Sequence, residues 1–171
     1  MESSEMFLYI FKGLQLTLEL YVITIILSIP LGLILALGAT SKNIVLNKII
    51  GFYTWIFRGT PLLLQLFFVY YGLPVMGITL TAFGAAVFTF TINYAAYLTE
   101  IFRGGIESIE AGQYEASYVL GLNYIQTMKN IVLPQAIKNV LPSLGNEAIT
   151  LIKDTALISA IGMGEILRNS K

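Results

Sequence analysis

The sequence predicts an all-α fold, a polytopic bundle of helices embedded in a bilayer, on three observations. Of 171 residues, 56% are hydrophobic and only 12% are charged, with a mean hydropathy of +0.77. Soluble domains run at about 45–50% apolar and about 25% charged, so this chain has too few charges to cover a water-facing surface. Leu20 to Ser41 carries no charge, and at about 1.5 Å per residue it covers roughly 30 Å, one hydrocarbon core. Finally, one amphipathic, helix-prone segment, Glu110–Pro134, separates membrane-length apolar runs from a further run that polar residues interrupt. The length suits a single membrane domain, residues 1–171.

Taken in order, the acidic N-terminus MESSEM lacks the basic region of a cleaved signal peptide, so the first apolar run is expected to stay in the mature protein. Met6–Phe11 reads as a short interfacial piece, and Gly13–Ala39 as the first span. Pro30, Gly32 and Gly38 are tolerated there, and small residues favour close helix contact. Lys42 and Lys48 flank the following loop without an acidic neighbour, which places that loop in the cytoplasm and the N-terminus outside. Ile49–Tyr71 is the second span, broken or kinked at Pro61 within Arg58-Gly59-Thr60-Pro61. After an external turn at Gly72-Leu73-Pro74 and Gly77, Leu80–Leu98 forms the third. Asn93, Tyr97 and Glu100 share one face near its end, and a polar stripe on a membrane helix faces protein or water.

Next comes an elbow over about residues 105–134. Gly112 and Gly121 bracket a short helix, Asn123 is placed to cap a second one ending at Leu133-Pro134, and Tyr114, Tyr118, Leu122 and Ile125 form an approximate apolar stripe. Pro134–Ile152 returns to the membrane as a discontinuous helix punctuated by Lys138, Pro142, Gly145 and Glu147. If its membrane portion starts near Pro142, Asp154 lies about 18 Å in, close to the midplane. Thr155–Gly164 is apolar again and precedes a tail carrying Arg168 and Lys171. About four spans are expected.

Absences narrow the function. With no Cys and no His, disulfides, zinc sites and the usual near-neutral general base drop out. Zero net charge gives no electrostatic footprint for nucleic acid. No G-x-x-x-x-G-K-[ST] loop occurs to cradle ATP phosphates, and no G-x-S-x-G or His-based metal motif argues for an enzyme. A chain without such a loop must borrow any energy from ATP, and no cofactor is expected on it.

The elbow residues fit a known pattern. Glu115-Ala116-Ser117, Gly121 and then Ile131-Val132-Leu133-Pro134 resemble the EAA signature of ABC-transporter permeases, with Ser117 in place of the second Ala. Small residues let a helix seat in a partner's groove, Gly121 permits a sharp turn, and Glu115 is available to a basic group. Phe57-Arg58-Gly59-Thr60-Pro61, Tyr97–Ile106, Leu141–Glu147 and Leu151–Leu157 look like the polar amino acid uptake branch of these permeases. The resemblance covers about Gly13 to Arg168. It implies a type I ABC importer permease fold and a cytoplasmic coupling helix formed by Glu115, Ala116, Ser117, Tyr118 and Gly121. The partners it implies are a separate ATP-binding subunit, a second permease copy or paralogue, and an extracellular or periplasmic solute-binding protein. Relatives of this kind continue into a further transmembrane helix beyond the equivalent of Ile161–Arg168, so the last helix is expected to be missing here.

For an amino acid substrate, the ammonium needs carboxylates, and Asp154 and Glu100 are the candidates. The substrate carboxylate would meet Lys153, Arg103 or the N–H groups of a broken helix, with Asn93, Tyr94 and Tyr97 lining the cavity. A plainer reading makes Lys153–Asp154 or Glu100–Arg103 a structural ion pair and the aromatics packing or an interface belt. The expected function is thus an alternating-access permease subunit for polar, and by its carboxylates cationic, amino acids in a bacterial inner membrane. Other small solutes such as methionine or an opine, and a passive channel or membrane scaffold, are the alternatives.

Overall fold

The computed structural model describes residues 3–161, all of whose regular structure is helical. Helix α1 runs over Ser3–Ala39, α2 over Ile44–Gly59 and α3 over Leu62–Phe67. A π turn (Phe68–Gly72) and a 3-10 turn (Leu73–Met76) extend α3 before α4, Ala82–Glu107. The elbow contains α5 (Ala111–Val119) and α6 (Tyr124–Thr127), joined through a π turn (Met128–Val132) to α7, Leu133–Asp154, and a closing 3-10 segment, Thr155–Ile161. The tail with Gly162, Gly164, Arg168 and Lys171 lies outside the described residues.

Helix α4 is the axis. Thr81 caps it, its hydroxyl accepting from Gly84 N at 3.0 Å. Ala82, Ala86, Phe90, Ala95, Leu98, Phe102 and Ile106 are all buried along its length. A helix buried on nearly every side belongs at the centre of a bundle, and α1, α2, α3 and α7 all pack on it. Small side chains set the α1–α4 distance. A Cβ added to Gly32 would stand 2.7 Å from Leu98 Cβ, so the two backbones approach closely only because that position is glycine.

Two apolar cores form at opposite ends of α4. One gathers Leu20, Leu66, Ala86, Phe90, Leu151 and Ile158; the other gathers Ala36, Leu98, Phe102, Met128, Val132 and Val140. Polar side chains collect between them, around Asn93 to Glu100. Among the described residues, one helical stretch, Phe11–Ala39, is long and apolar enough to cross a membrane; Ile44–Gly59 and Leu62–Met76 pass only together, bent by 100°.

The structure redraws several boundaries. The interfacial piece expected at Met6–Phe11 is continuous with α1. The second span, Ile49–Tyr71, does break at Thr60-Pro61, but through 100° rather than as a kinked rod. Helix α4 passes Leu98 and continues to Glu107. The discontinuity expected at Pro142–Gly145 is absent: α7 is one α-helix through Pro142, and the change to 3-10 geometry comes after Asp154. Pro134 opens α7 near its first position instead of ending a helix, a site where its missing N–H costs no helical bond.

Candidate functional site

The polar layer on α4 is organised by the break before Pro61. Proline has no N–H, so the Phe57 carbonyl four residues earlier loses its helical partner. Two side-chain amides replace it: Asn93 Nδ2 donates to Phe57 O at 2.9 Å, and Gln65 Nε2 donates to it at 3.0 Å. Gln65 also donates to Thr60 O at 3.1 Å and Thr60 Oγ1 at 2.7 Å, while its own carbonyl accepts from Asn93 at 3.0 Å. Tyr97 OH reaches Arg58 O at 3.4 Å, and the Arg58 guanidinium lies 5.5 Å from the centre of the Tyr97 ring. Asn93, 3% exposed, therefore faces the break.

Glu100 sits one to two turns further on. One carboxylate oxygen accepts from Thr54 Oγ1 at 2.8 Å, and the other from Arg103 Nη2 at 2.5 Å. Arg58 adds a looser contact at 3.8 Å. Arg103 in turn bridges to Glu107 at 3.0 Å. These residues border a cavity of about 550 Å³ between α2 and α4. The Glu100–Arg103 pair is the structural alternative anticipated for these residues, and here it exists. Thr54 escaped notice in the sequence; its spacing of four from Arg58 puts both on one face of α2.

Asp154 is 60 positions from its partner. At the end of α7, its Oδ2 accepts from Tyr94 OH at 2.7 Å. Tyr94 is buried and Asp154 half-buried. Lys153 is exposed, and no ion pair between it and Asp154 occurs among the described residues. The predicted residues thus fall into two groups, Asn93–Tyr97–Glu100 toward α2 and Tyr94–Asp154 toward α7.

The elbow presents a different surface. Glu115 and Ala116 are exposed on α5, and Tyr118, Val119 and Leu120 are 83%, 84% and 76% exposed. Ser117 points inward at 1% exposure, its hydroxyl donating to Gln113 O at 2.6 Å. A small residue is required there for packing within this chain. Gly121 takes φ +74, a left-handed turn that favours glycine. Leu122 N closes back to Ser117 O at 3.0 Å and Gly121 N to Tyr118 O at 2.9 Å, the pattern of a Schellman end. Asn123 caps α6 as expected, in a reciprocal box with Gln126. The expected stripe does not pack as one: Tyr114 and Leu122 are half-buried, but Tyr118 and Ile125 are exposed. Burial lifts the Tyr114 phenol above its ordinary pKa, with Tyr124 adding to the effect.

Comparisons with known proteins agree with this architecture. The family described as binding-protein-dependent transport system inner membrane component matches residues 28–171. The arginine transport system permease protein ArtQ of Bacillus subtilis is 44% identical over 163 residues, covering 95% of this chain and 74% of that protein. The L-cystine transport system permease protein TcyB of the same organism is 40% identical over 159 residues, 93% of this chain and 68% of its own length. Among solved structures, an amino acid ABC transporter crystallised with histidines superposes with a TM-score of 0.84 at 38% identity, over 93% of this chain and 74% of that one. The inward-facing MetNI methionine ABC transporter, at 22% identity and TM-score 0.68 over 95% of this chain and 78% of that one, shares the fold. The chain belongs to the inner membrane components of binding-protein-dependent transport systems: it is an all-helical ABC permease subunit, a transport component and not an enzyme.

Proposed function

We propose that this chain is the permease subunit of an ATP-driven importer of polar amino acids, leaning toward cationic ones. It would lie in a bacterial inner membrane as a multi-pass protein with its N-terminus outside, the reading suggested by Lys42 in the α1–α2 loop and Lys48 in the second turn of α2. A separate ATPase, holding ATP and magnesium, docks on the elbow. A second permease copy or paralogue completes the pathway, and a solute-binding protein delivers the substrate.

The observation that carries the reading is the elbow. Glu115, Ala116 and Tyr118 stand exposed beside Gly121, on a helix held to the chain through buried Ser117. A rigid, exposed, partly apolar turn on a membrane protein is a surface built to meet another protein. Its support from relatives is the arginine and cystine permeases named above.

The substrate reading rests on Asp154 and Tyr94, with Glu100, Asn93, Tyr97 and Lys153 as the remaining candidates. An ammonium or guanidinium group in a low-dielectric pathway requires a carboxylate, and Asp154 is half-buried with one hydroxyl partner. Glu100 is committed to two arginines and a threonine, so binding there would require displacing a formed ion pair. Asp154 is therefore the stronger candidate.

ATPase activity of the reconstituted complex, measured across an amino acid panel with binding protein present, tests this. Stimulation by Arg, Lys or His supports the cationic assignment. Stimulation by solutes outside the amino acids alone overturns the substrate class, and loss of ATPase binding on disrupting the elbow is the separate test of docking.

A further inference from the structure

A groove of about 1350 Å³ opens between the C-terminal end of α1, the start of α2 and the inner side of the elbow. Leu37 and Leu46 form one wall, Leu133 and the half-buried Tyr114 the other, and Lys42 and Lys129 stand on it from opposite sides. Its depth rests on the orientation proposed above: with the N-terminus outside, the membrane-length stretch Phe11–Ala39 ends on the cytoplasmic side where the groove begins, which puts the groove at the cytoplasmic headgroup level. Tyrosines collect at such interfaces because one end of the ring is apolar and the other wet, and Tyr114, Tyr118 and Tyr124 all border the space.

The charge of the groove selects its occupant. Among its lining residues, Glu107 is the only acid, and both its oxygens accept from Arg103 Nη1, at 3.0 and 3.1 Å. Lys42 and Lys129 are exposed and form no ion pair among the described residues. Asn47, which also lines the groove, already donates Nδ2 to Ala39 O at 2.7 Å, and the ammonium groups of Lys42 and Lys129 are the cations the lining offers a ligand. Lys129 is presented from the π turn Met128–Val132, a geometry concentrated at functional sites. The groove meets the surface proposed for the ATPase only at Tyr118, which borders both; Glu115, Ala116 and Gly121 do not line it.

We propose that this groove is a binding site for an anionic phospholipid of the cytoplasmic leaflet. Lys42 and Lys129 hold its phosphate from opposite sides, and its upper acyl carbons lie against Leu37, Leu46 and Leu133. A basic pocket between helices at this depth is the setting in which anionic headgroups are recognised. An occupant of this kind would brace the elbow against α1.

The test uses the full chain in nanodiscs of phosphatidylcholine doped with phosphatidylglycerol, reading retained phosphatidylglycerol by native mass spectrometry. Lys42→Ala and Lys129→Ala should each lower retention about fivefold, and the pair together about thirtyfold. Lys48→Ala, at an exposed position of α2 outside the groove, should leave it unchanged, and Lys42→Arg/Lys129→Arg should retain it. Equal losses in Lys48→Ala, or full retention in the double alanine variant, overturn the proposal. So does loss of ATPase co-purification with phosphatidylglycerol retention unchanged, which would assign the groove to the protein interface. Misfolding of the alanine variants is separated by the arginine pair: failure of that charge-conserving variant to retain lipid, with helicity intact, also refutes the site.

Discussion

Asn93→Ala should destabilise the chain by about 1–3 kcal/mol through the break at Pro61, and the magnitude follows from a short inventory. Asn93 makes two hydrogen bonds there, to Phe57 O at 2.9 Å and to Gln65 Oε1 at 3.0 Å. Side-chain hydrogen bonds between membrane helices average about 0.6 kcal/mol and reach about 1.7. The Phe57 carbonyl is not abandoned by the single change, because Gln65 still donates to it at 3.0 Å. Gln65→Leu likewise leaves Asn93 as a donor. Only the double variant strips that carbonyl of both amides, while Pro61 supplies no N–H in compensation. Leaving such a group unsatisfied costs about 1–3 kcal/mol, more than the roughly 0.6 kcal/mol counted twice for the shared Asn93–Gln65 bond. The double variant should therefore lose more than the sum of the singles. A denaturant titration of the purified chain in mixed micelles, run as a double-mutant cycle, reads this directly. Additive losses, or a double variant milder than the sum, would refute the argument that two amides substitute for one missing N–H.

Other outcomes follow from the same geometry. Glu115→Lys reverses the charge of an exposed elbow residue, and should weaken ATPase co-purification at least tenfold with membrane insertion intact; undiminished co-purification would count against the docking surface. Asp154→Asn keeps the shape beside Tyr94 OH but removes the charge, and should abolish stimulation by cationic amino acids while ATPase docking persists. Gly121→Val forces a β-branched residue into φ +74, at a cost of about 1–3 kcal/mol; protease sensitivity near residue 121 should rise, and an unchanged cleavage pattern would contradict the strain.

Much of this was legible in the sequence because it depends on local chemistry. The charge-free stretch Leu20–Ser41 gives α1, Pro61 gives the break, and Asn123 gives a cap, to which the structure adds Gln126 three residues on. What escaped depends on distant partners. Tyr94 and Asp154 meet across 60 positions, and Gln65 shows its role only once Asn93 lies against Phe57. The asymmetry of the elbow was hidden for a related reason: Ser117 and Tyr118 are neighbours in sequence, but one is 1% and the other 83% exposed. Residue type also misled at α7. Pro142 and Gly145 look like punctuation, yet proline's ring sits on an exposed position of a helix that continues past it.

On the docking and substrate sites proposed above, that continuity gives α7 a mechanical role. It is a single 22-residue helix from Leu133, beside the elbow, to Asp154, against Tyr94, and at about 1.5 Å per residue it spans roughly 33 Å. Val140 and Ala136 seat its first half in the elbow-side core, and Leu151 seats its second half in the other. A displacement of the elbow is thereby carried to Asp154 by one rod, without an intervening loop to absorb it. Inserting one alanine after Leu144 rotates the distal half by about 100° relative to the proximal half. The elbow and its docked ATPase should survive, since Ala136 and Val140 keep their places, while Asp154 leaves Tyr94 and Leu151 leaves its core. Docked ATPase with transport lost is the expected result. Transport that survives the insertion would mean the two ends of α7 communicate by another route.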